Sequence, residues 1–494
     1  ASEDTHSEGG GGDGGVTNDA ASEAVELRGA PSAARGGAAT LAAPATPGDA
    51  GDGGGGGGAG GRGGGANSSP RGSTTLPAPT VAVPALSGTA RPLPRPAGGR
   101  AAGDVAAPAP SSGPGSGGRV LESLRRWSDA PIHSLVYTHG HIDHVGGSHA
   151  FANDAKSLGR PLPNVIGHEN LIPRLQRYRA TTGYNKVINA RQFGGSPVSM
   201  VSGAGSEQPF VPEGTLEPVI EYSNTMTTEI GGVEFQLHHA LGETDDHTWT
   251  WIPRHQMISA GDQFIWNFPN CGNPQKVQRY PMEWAASLRE MAATDVELFV
   301  PAHGLPIAGH DRIVSCLNTV ASTLEQLVDD VVSAMNSGAT LNDIVLAVTV
   351  DPEVLELPYL RPLYDEPEFV IRNIWRLYGG WWDGKPSRLK PASDVAIAVE
   401  LAELVGGVSM LSERARVLAE SGELRVACHL IDMAADAAPD STAVHEIRAW
   451  IYLTRRAAES SLMSKGIFES AANESREAAG QEFERRRSIL SLEE

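Results

Sequence analysis

The sequence predicts an α/β layered domain followed by an all-α domain, and three observations lead there. Between about residue 119 and residue 310, strand-like and helix-like stretches alternate, the pattern of layered α/β folds. From residue 393 onward, helix-period segments follow one another without a strand between them. Residues 1–118 belong to neither: 31 of them are Gly and 13 are Pro, and the stretch holds no Phe, Trp, Tyr, Ile, Met, Cys or Lys. So little apolar surface cannot offset the entropy of ordering, and this tail is expected to be disordered. Its Gly, Ala, Arg, Pro, Ser and Thr are also what GC-rich codons give, so either a flexible extension or DNA read out of frame fits the composition.

The elements follow in order. Val120, Leu121, Leu124 and Trp127 repeat at helical spacing, and 132–137 reads as a buried strand ending at Thr138-His139. Strands are expected at 233–238, 248–252, 256–259 and 297–300, with a helix over 282–293. Ser322 is expected to cap a helix whose apolar face carries Leu324, Leu327, Val328, Val331 and Val332, closed by Gly338. Helices are then expected at 395–405, 412–420, 424–437 and 443–459, the middle two forming a pair broken at Ser421-Gly422. The expected organisation is a tail (1–118), a catalytic domain (119–320), connecting helices (321–392), an all-α domain (393–475) and a helical C-terminal tail (476–494).

The net charge of −20 includes only −3 from the tail, leaving −17 on the remainder. Such a surface disfavours phosphate backbones, and nucleic acid is not an expected partner. Cys271, Cys316 and Cys428 form no CxxC and no disulfide framework, which suits a reducing compartment. No run approaches the 18 apolar residues of a membrane span, and no signal peptide is visible, so the expectation is a cytoplasmic, soluble protein.

The chemistry concentrates in Thr138-His139-Gly140-His141-Ile142-Asp143-His144-Val145-Gly146-Gly147. A strand delivers His139 to its C-terminal end, where open α/β sheets place their sites. His139 and His141 suit one metal ion, and Asp143 and His144 a second. Each ion needs further ligands from elsewhere in the chain.

This motif resembles the signature of the metallo-β-lactamase superfamily, whose fold is an αββα sandwich. Leu241-Gly242-Glu243-Thr244 is similar to the superfamily's Gly-His-Thr turn with Glu in the histidine's place. Ser259-Ala260-Gly261-Asp262 is similar to its Gly-Asp turn, and Pro301-Ala302-His303-Gly304 to the turn carrying its last histidine. Glu243 in place of histidine points to the linear alkylsulfatases, the dodecyl-sulfate hydrolases. Residues 373–386 (NIWRLYGGWWDGKP) and the helices of 393–475 resemble the lead-in and the dimerisation domain of that family. The resemblance implies one metal on His139, His141 and Glu243, a second on Asp143, His144 and His303, and Asp262 between them, where the family normally has Glu. It implies two zinc ions per chain, with iron or manganese open, a metal-bridging hydroxide as nucleophile, alkyl sulfate as substrate and a homodimer. Asp143, Asp262 and Arg279 are the expected catalytic residues.

Arg279 matches one sulfate-binding arginine of the family; the other has no counterpart, and Lys276 stands nearest to it as a point charge. Asn267, Asn270 and Asn273 are either anion donors or a polar loop. His247 is an acid, a supporting partner or, the preferred reading, a solvent-facing residue. Trp249, Trp251, Phe264, Trp266 and Phe268 line an alkyl pocket or, preferred, form core. Only about 20 foldable residues precede His139, so the opening strands of the superfamily fold are expected to be missing. Two other readings stay open: a hydrolase of another ester (lactone, thioester or phosphodiester), or a metal-free remnant acting only through its helical dimerisation module.

Overall fold

The computed structural model describes residues 116–196 and 209–481, and the expectations for most of the N-terminal tail and for 482–494 lie outside them. Residues 116–118, read from sequence as tail, form the first turn of α1 (Ser116–Arg125). Gly117 fits there because it lies against the backbone of Gly147, where a Cβ would come within 2.3 Å of a carbonyl oxygen.

A parallel three-stranded sheet comes first, ordered β1 (Ser134–Val136), β2 (Asn164–His168) and β3 (Ile220–Tyr222). The run 132–137 thus supplies only three strand residues. The chain turns away at Thr138 to open the histidine loop. Short helices α2 (Ile142–Val145) and α3 (Ser148–Ser157) follow that loop, and α4 (Leu171–Ala180) and α5 (Thr182–Gln192) follow β2. Tyr137, Val145, Val165, Leu171 and Leu175 form the core between this sheet and its helices.

The second sheet has six strands in sequence order: β4 (Thr225–Ile230), β5 (Val233–Ala240), β6 (His247–Ile252), β7 (Met257–Ile265), β8 (Leu298–His303) and β9 (Ile307–Ala308). All neighbours are antiparallel except β7 and β8. That parallel pair needs a crossover, and α6 (Pro281–Ala292) supplies the helix in it. The two sheets face each other through Ile166, Tyr222 and Leu237, and the Tyr222 hydroxyl donates to Thr248 Oγ1 at 2.7 Å. The second sheet's other face packs Trp249, Ile258, Phe264 and Phe299 against Trp284 and Leu288 of α6 and against α7 (His310–Asn336). The layers therefore run helix, sheet, sheet, helix, as an αββα sandwich. Among the described residues β1 is an edge strand, with no strand preceding it.

Ser322 does not cap a helix. α7 starts at His310 and runs 27 residues, with Ile313, Leu317, Val320, Leu324, Leu327 and Val331 keeping one buried stripe through that point. The stripe extends the period more than three turns earlier than the sequence reading, so tertiary burial outweighs the cap preference of serine. After α7 come α8 (Leu341–Ala347), opened by a capping box of Thr340 and Asp343, then α9 (Pro352–Leu355) and α10 (Pro367–Gly379).

Among the described residues five helices follow: α11 (Asp394–Val405), α12 (Val408–Glu420), α13 (Leu424–Ala437), α14 (Thr442–Ala458) and α15 (Leu462–Ala478). Ser393, Ser441 and Ser461 cap three of them by accepting a backbone N–H. Leu411, Ala415, Ala427, Ile431, Ala449 and Ile451 form their core. α11 is anomalous: it is apolar, yet it buries only Ala398 and Ala402, leaving Val395, Ile397, Val399 and Leu404 exposed. Among the described residues no single helix is long and apolar enough to cross a membrane.

Candidate metal centre

His139 leaves the end of β1 fully buried, and His141 stands two residues on, so that His139 Nε2 and His141 Nδ1 lie 2.9 Å apart. The turn between β5 and β6 brings Glu243 Oε1 to 3.6 Å from His141 Nδ1. Asp262 arrives from β7, its Oδ2 3.7 Å from His139 Nε2. These four residues hold ligand atoms within 4.8 Å of one another. The first turn of α2 and the end of β8 build a second group of Asp143, His144 and His303 within the same limit. Asp143 Oδ2 lies 3.4 Å from both His144 Nε2 and His303 Nε2. Asp262 faces both groups, with Oδ2 3.2 Å from His144 Nε2 and Oδ1 3.6 Å from His303 Nε2.

The structure thus gathers all seven sequence-predicted metal ligands into two adjoining clusters. The first is buried; the second opens to solvent, its Asp143 and His303 side chains 60% and 53% exposed. The donor set fits a pair of divalent cations, since it offers only imidazole and carboxylate. Two of its buried atoms, His144 Nε2 and Asp262 Oδ1, have no hydrogen-bond partner. Buried polar atoms are rarely left so without a role.

Electrostatics favour ligation in the first group. Burial, followed by the charges of neighbouring His144, His141 and Arg174 among others, holds His139 well below the usual histidine range; burial with Arg279 and Arg174 does the same for His141. Both are therefore neutral imidazoles, the form that gives a lone pair to a cation. Burial pushes Glu243 up to about 8 against the pull of Arg279. In the second group, burial opposes charge, but the neighbouring Asp143 and Asp262 carboxylates raise His144 to about 10.

Arg279 is buried and donates through Nη1 to Glu243 Oε1 at 2.7 Å and to the Asn270 carbonyl. Its Nε has no partner. Beside it a cavity of about 150 Å³ has His141 and Glu243 in its wall, with Arg174, Arg177, Lys276 and Arg279 as cations and Tyr184, Ile188 and Val277 as apolar lining. Burial, with Arg279 nearby, lowers Lys276 to about 8, and its Nζ donates to Asn189 Oδ1 at 3.1 Å.

The open alternatives resolve as follows. Asn270 donates to Glu243 at 2.5 Å and Asn273 to Gln192 Oε1 at 3.2 Å, so both brace the site rather than line it. Asn267 is half-buried. His247 is not solvent-facing: it is fully buried, stacks on His139 with centroids 5.0 Å apart, and its Nε2 accepts the Asp262 N–H at 3.0 Å. Its place on β6, behind the metal loop, buries it, and nothing in local sequence marks that. Gly261, at φ +56°, makes room, since a Cβ there would lie 2.8 Å from the His247 ring. Trp249, Phe264 and Phe268 are core, with Trp251 and Trp266 packed against it.

Sequence reasoning missed Arg174, Asp245 and Asp246. Arg174 Nε donates to Asp246 Oδ1 at 2.8 Å and its Nη2 pairs with Asp245, while Gly140 N donates to Asp246 Oδ2 at 2.8 Å. The only available signal was the acidic pair Asp245-Asp246 two residues after Glu243, and nothing local tied it to an arginine 72 residues away.

Residues 106–303 match the family model of the Metallo-beta-lactamase superfamily, and residues 340–478 match that of Alkyl sulfatase dimerisation. The latter takes in the connecting helices as well as those from 393. Over 322 residues the chain is 26% identical to a linear primary-alkylsulfatase of Pseudomonas sp., covering 62% of this chain and 58% of that protein. Over 318 residues it is 25% identical to an (R)-specific secondary-alkylsulfatase of Pseudomonas sp., covering 61% and 47%. An alkyl/aryl-sulfatase of Saccharomyces cerevisiae is 21% identical over 336 residues, covering 65% and 51%. The chain spans about half the length of these relatives. The solved structure of the stereoselective inverting sec-alkylsulfatase Pisa1 from Pseudomonas sp. has the same fold, with a TM-score of 0.63, 21% identity, and coverage of 73% of this chain and 59% of that one. The chain thus joins an αββα sandwich, matched over 106–303 by the superfamily model and carrying the paired clusters, to helices matched over 340–478 by the alkyl sulfatase dimerisation model.

Proposed function

We propose that the protein is a binuclear zinc hydrolase of linear alkyl sulfate esters, converting ester and water to alcohol and hydrogen sulfate. The observation that carries this reading is the cationic cavity beside the ligand clusters. Arg279 Nε and an Arg177 Nη are buried there without a protein partner, and Lys276 adds a third positive group. Two cations and unspent guanidinium donors suit the non-reacting oxygens of a sulfate. When bound, the paired ions would supply an ionised water near neutral pH and a Lewis acid for the ester oxygen. His139, His141 and Glu243 would hold one ion, Asp143, His144 and His303 the other, and Asp262 would reach both. An alkyl chain would leave past Ile188, Tyr184 and Val277, of which the last two are exposed. The test is sulfate release from medium-chain alkyl sulfates by zinc-loaded protein. Release that a chelator stops and zinc restores is expected; none from a chain holding two zinc ions would overturn the reading. In that event a panel of other esters follows, because Arg279 already spends one arm on Glu243 and Asn270.

Lys276 gives this reading a pH signature. Its ammonium is present below about pH 8 and lost above it, so inhibition by inorganic sulfate is expected to weaken as pH rises through 8. Lys276→Met is expected to remove that step and to weaken sulfate inhibition at pH 7 by about 10–100-fold, the effect of one charge-assisted bond of roughly 1.5–3 kcal/mol.

The protein acts as a homodimer in a reducing, cytoplasmic setting on this reading. α11 supports the dimer: Leu404 is 83% exposed and Val395 54%, on a helix apolar nearly all round. Such a helix is ordinarily buried. Leu404→Asp combined with Val395→Asp is expected to shift the protein from dimer to monomer in light scattering while leaving metal content unchanged.

A further inference from the structure

Asp246 is fully buried, and its carboxylate touches no ligand atom. One oxygen accepts the Gly140 N–H at 2.8 Å and the other accepts Arg174 Nε at 2.8 Å. Gly140 is the single residue between His139 and His141. Burying a carboxylate and a guanidinium is costly, and an apolar pair of similar volume often does as well for stability alone. Here the charged pair is spent on one main-chain amide of the histidine loop. The same pair also fills the space a side chain would need: a Cβ at 140 would lie 2.7 Å from Arg174 Cδ and 3.0 Å from Asp246 Oδ2. The peptide is thereby held by a hydrogen bond and packed closely against the pair that makes it. In that setting His139 and His141 turn their nitrogens to within 2.9 Å of each other.

We infer that Asp246, held by Arg174, is a positioning residue for the first metal ion alone, by fixing the backbone at Gly140 between its two histidine ligands. This rests on the metal-site reading above. Asp143 and His144 stand on α2 and His303 on β8, and none of the three hydrogen-bonds Asp246 or the Gly140 amide. Arg174 also lines the cationic cavity, so the same side chain ties the wall of the anion pocket to the histidine loop.

The experiment is a titration of the metal-free full-length chain with Co²⁺, followed by its visible spectrum, in two backgrounds. His303→Ala retains the complete first group, and Glu243→Ala retains the complete second. Adding Asp246→Ala is expected to weaken cobalt binding 10–100-fold in the first background, the usual effect of an outer partner of a ligating histidine, and by less than about twofold in the second. Asp246→Asn keeps an acceptor for the Gly140 N–H and is expected to recover most of the loss. Gly140→Ala disturbs the same peptide from the steric side, and is expected to reproduce the selective loss even if Asp246→Ala fails to fold. Equal weakening in both backgrounds, or none in the first, would overturn the inference. Wild-type protein that binds two cobalt ions with this selectivity but releases no sulfate would overturn the proposed activity and leave the inference standing.

Discussion

Asp262→Ala is expected to reduce bound zinc from two ions per chain to one at most, and to lower sulfate release more than 100-fold. The carboxylate reaches both clusters, at 3.7 Å from His139, 3.2 Å from His144 and 3.6 Å from His303. Outer partners of metal ligands already cost roughly 10–100-fold when removed, and a shared ligand should exceed that. Asp262→Glu is the informative companion, since it restores the longer carboxylate usual in the family that the motifs resemble. His247 and Gly261 hug the present side chain's backbone, with the Asp262 N–H already committed to His247. The longer arm is therefore expected to restore metal content more than rate. Elemental analysis of the purified variants, paired with initial rates, decides it. Two zinc ions and near-normal rates in Asp262→Ala would remove Asp262 from the centre.

Arg279→Ala is expected to destabilise the metal-free protein by about 1–3 kcal/mol, the cost of leaving a buried polar group without its partner. Glu243 would be that group: already pushed up to about 8 by burial, it takes up a proton once the guanidinium is gone, and both side chains of the pair are only 2% exposed. Thermal denaturation should show the midpoint falling by several degrees. Inhibition by inorganic sulfate should weaken in parallel, because the unpartnered Nε leaves the cavity with the rest of the guanidinium. Arg279→Lys separates the two roles: an ammonium can pair with Glu243 but cannot also serve the Asn270 carbonyl and an anion in one plane. It should recover much of the stability and little of the sulfate affinity. Unchanged sulfate inhibition in a folded Arg279→Ala chain would place anion recognition elsewhere.

The residues of the two clusters were legible in the sequence because their identity is a local matter. Four of them lie within six residues of one strand end; of the others, Glu243 sits on the turn after β5, Asp262 within β7 and His303 at the end of β8, each in a short motif read from its neighbours. The amphipathic helices were legible for the same reason, though the long stripe of α7 hid its own start, more than three turns before the serine that looked like a cap. What surrounds the ligands was not legible. His247 looked like a surface histidine because four residues after Glu243 there is no local sign that β6 runs behind the metal loop. Arg279 looked like a free anion binder because the sequence does not say that its guanidinium meets Glu243.

Chain-local chemistry therefore settled which residues can ligate, where strands and helices alternate, and that the last third is helical, since each depends on a few neighbours and a period. Only the folded arrangement decided how Arg174 and Asp246 clasp Gly140, how the two clusters share Asp262, and that α11 keeps an apolar face uncovered. Those outcomes join segments tens to hundreds of residues apart. Their energies come from burying charge against a particular partner or leaving apolar surface without one, and no window of sequence contains both halves of such a contact.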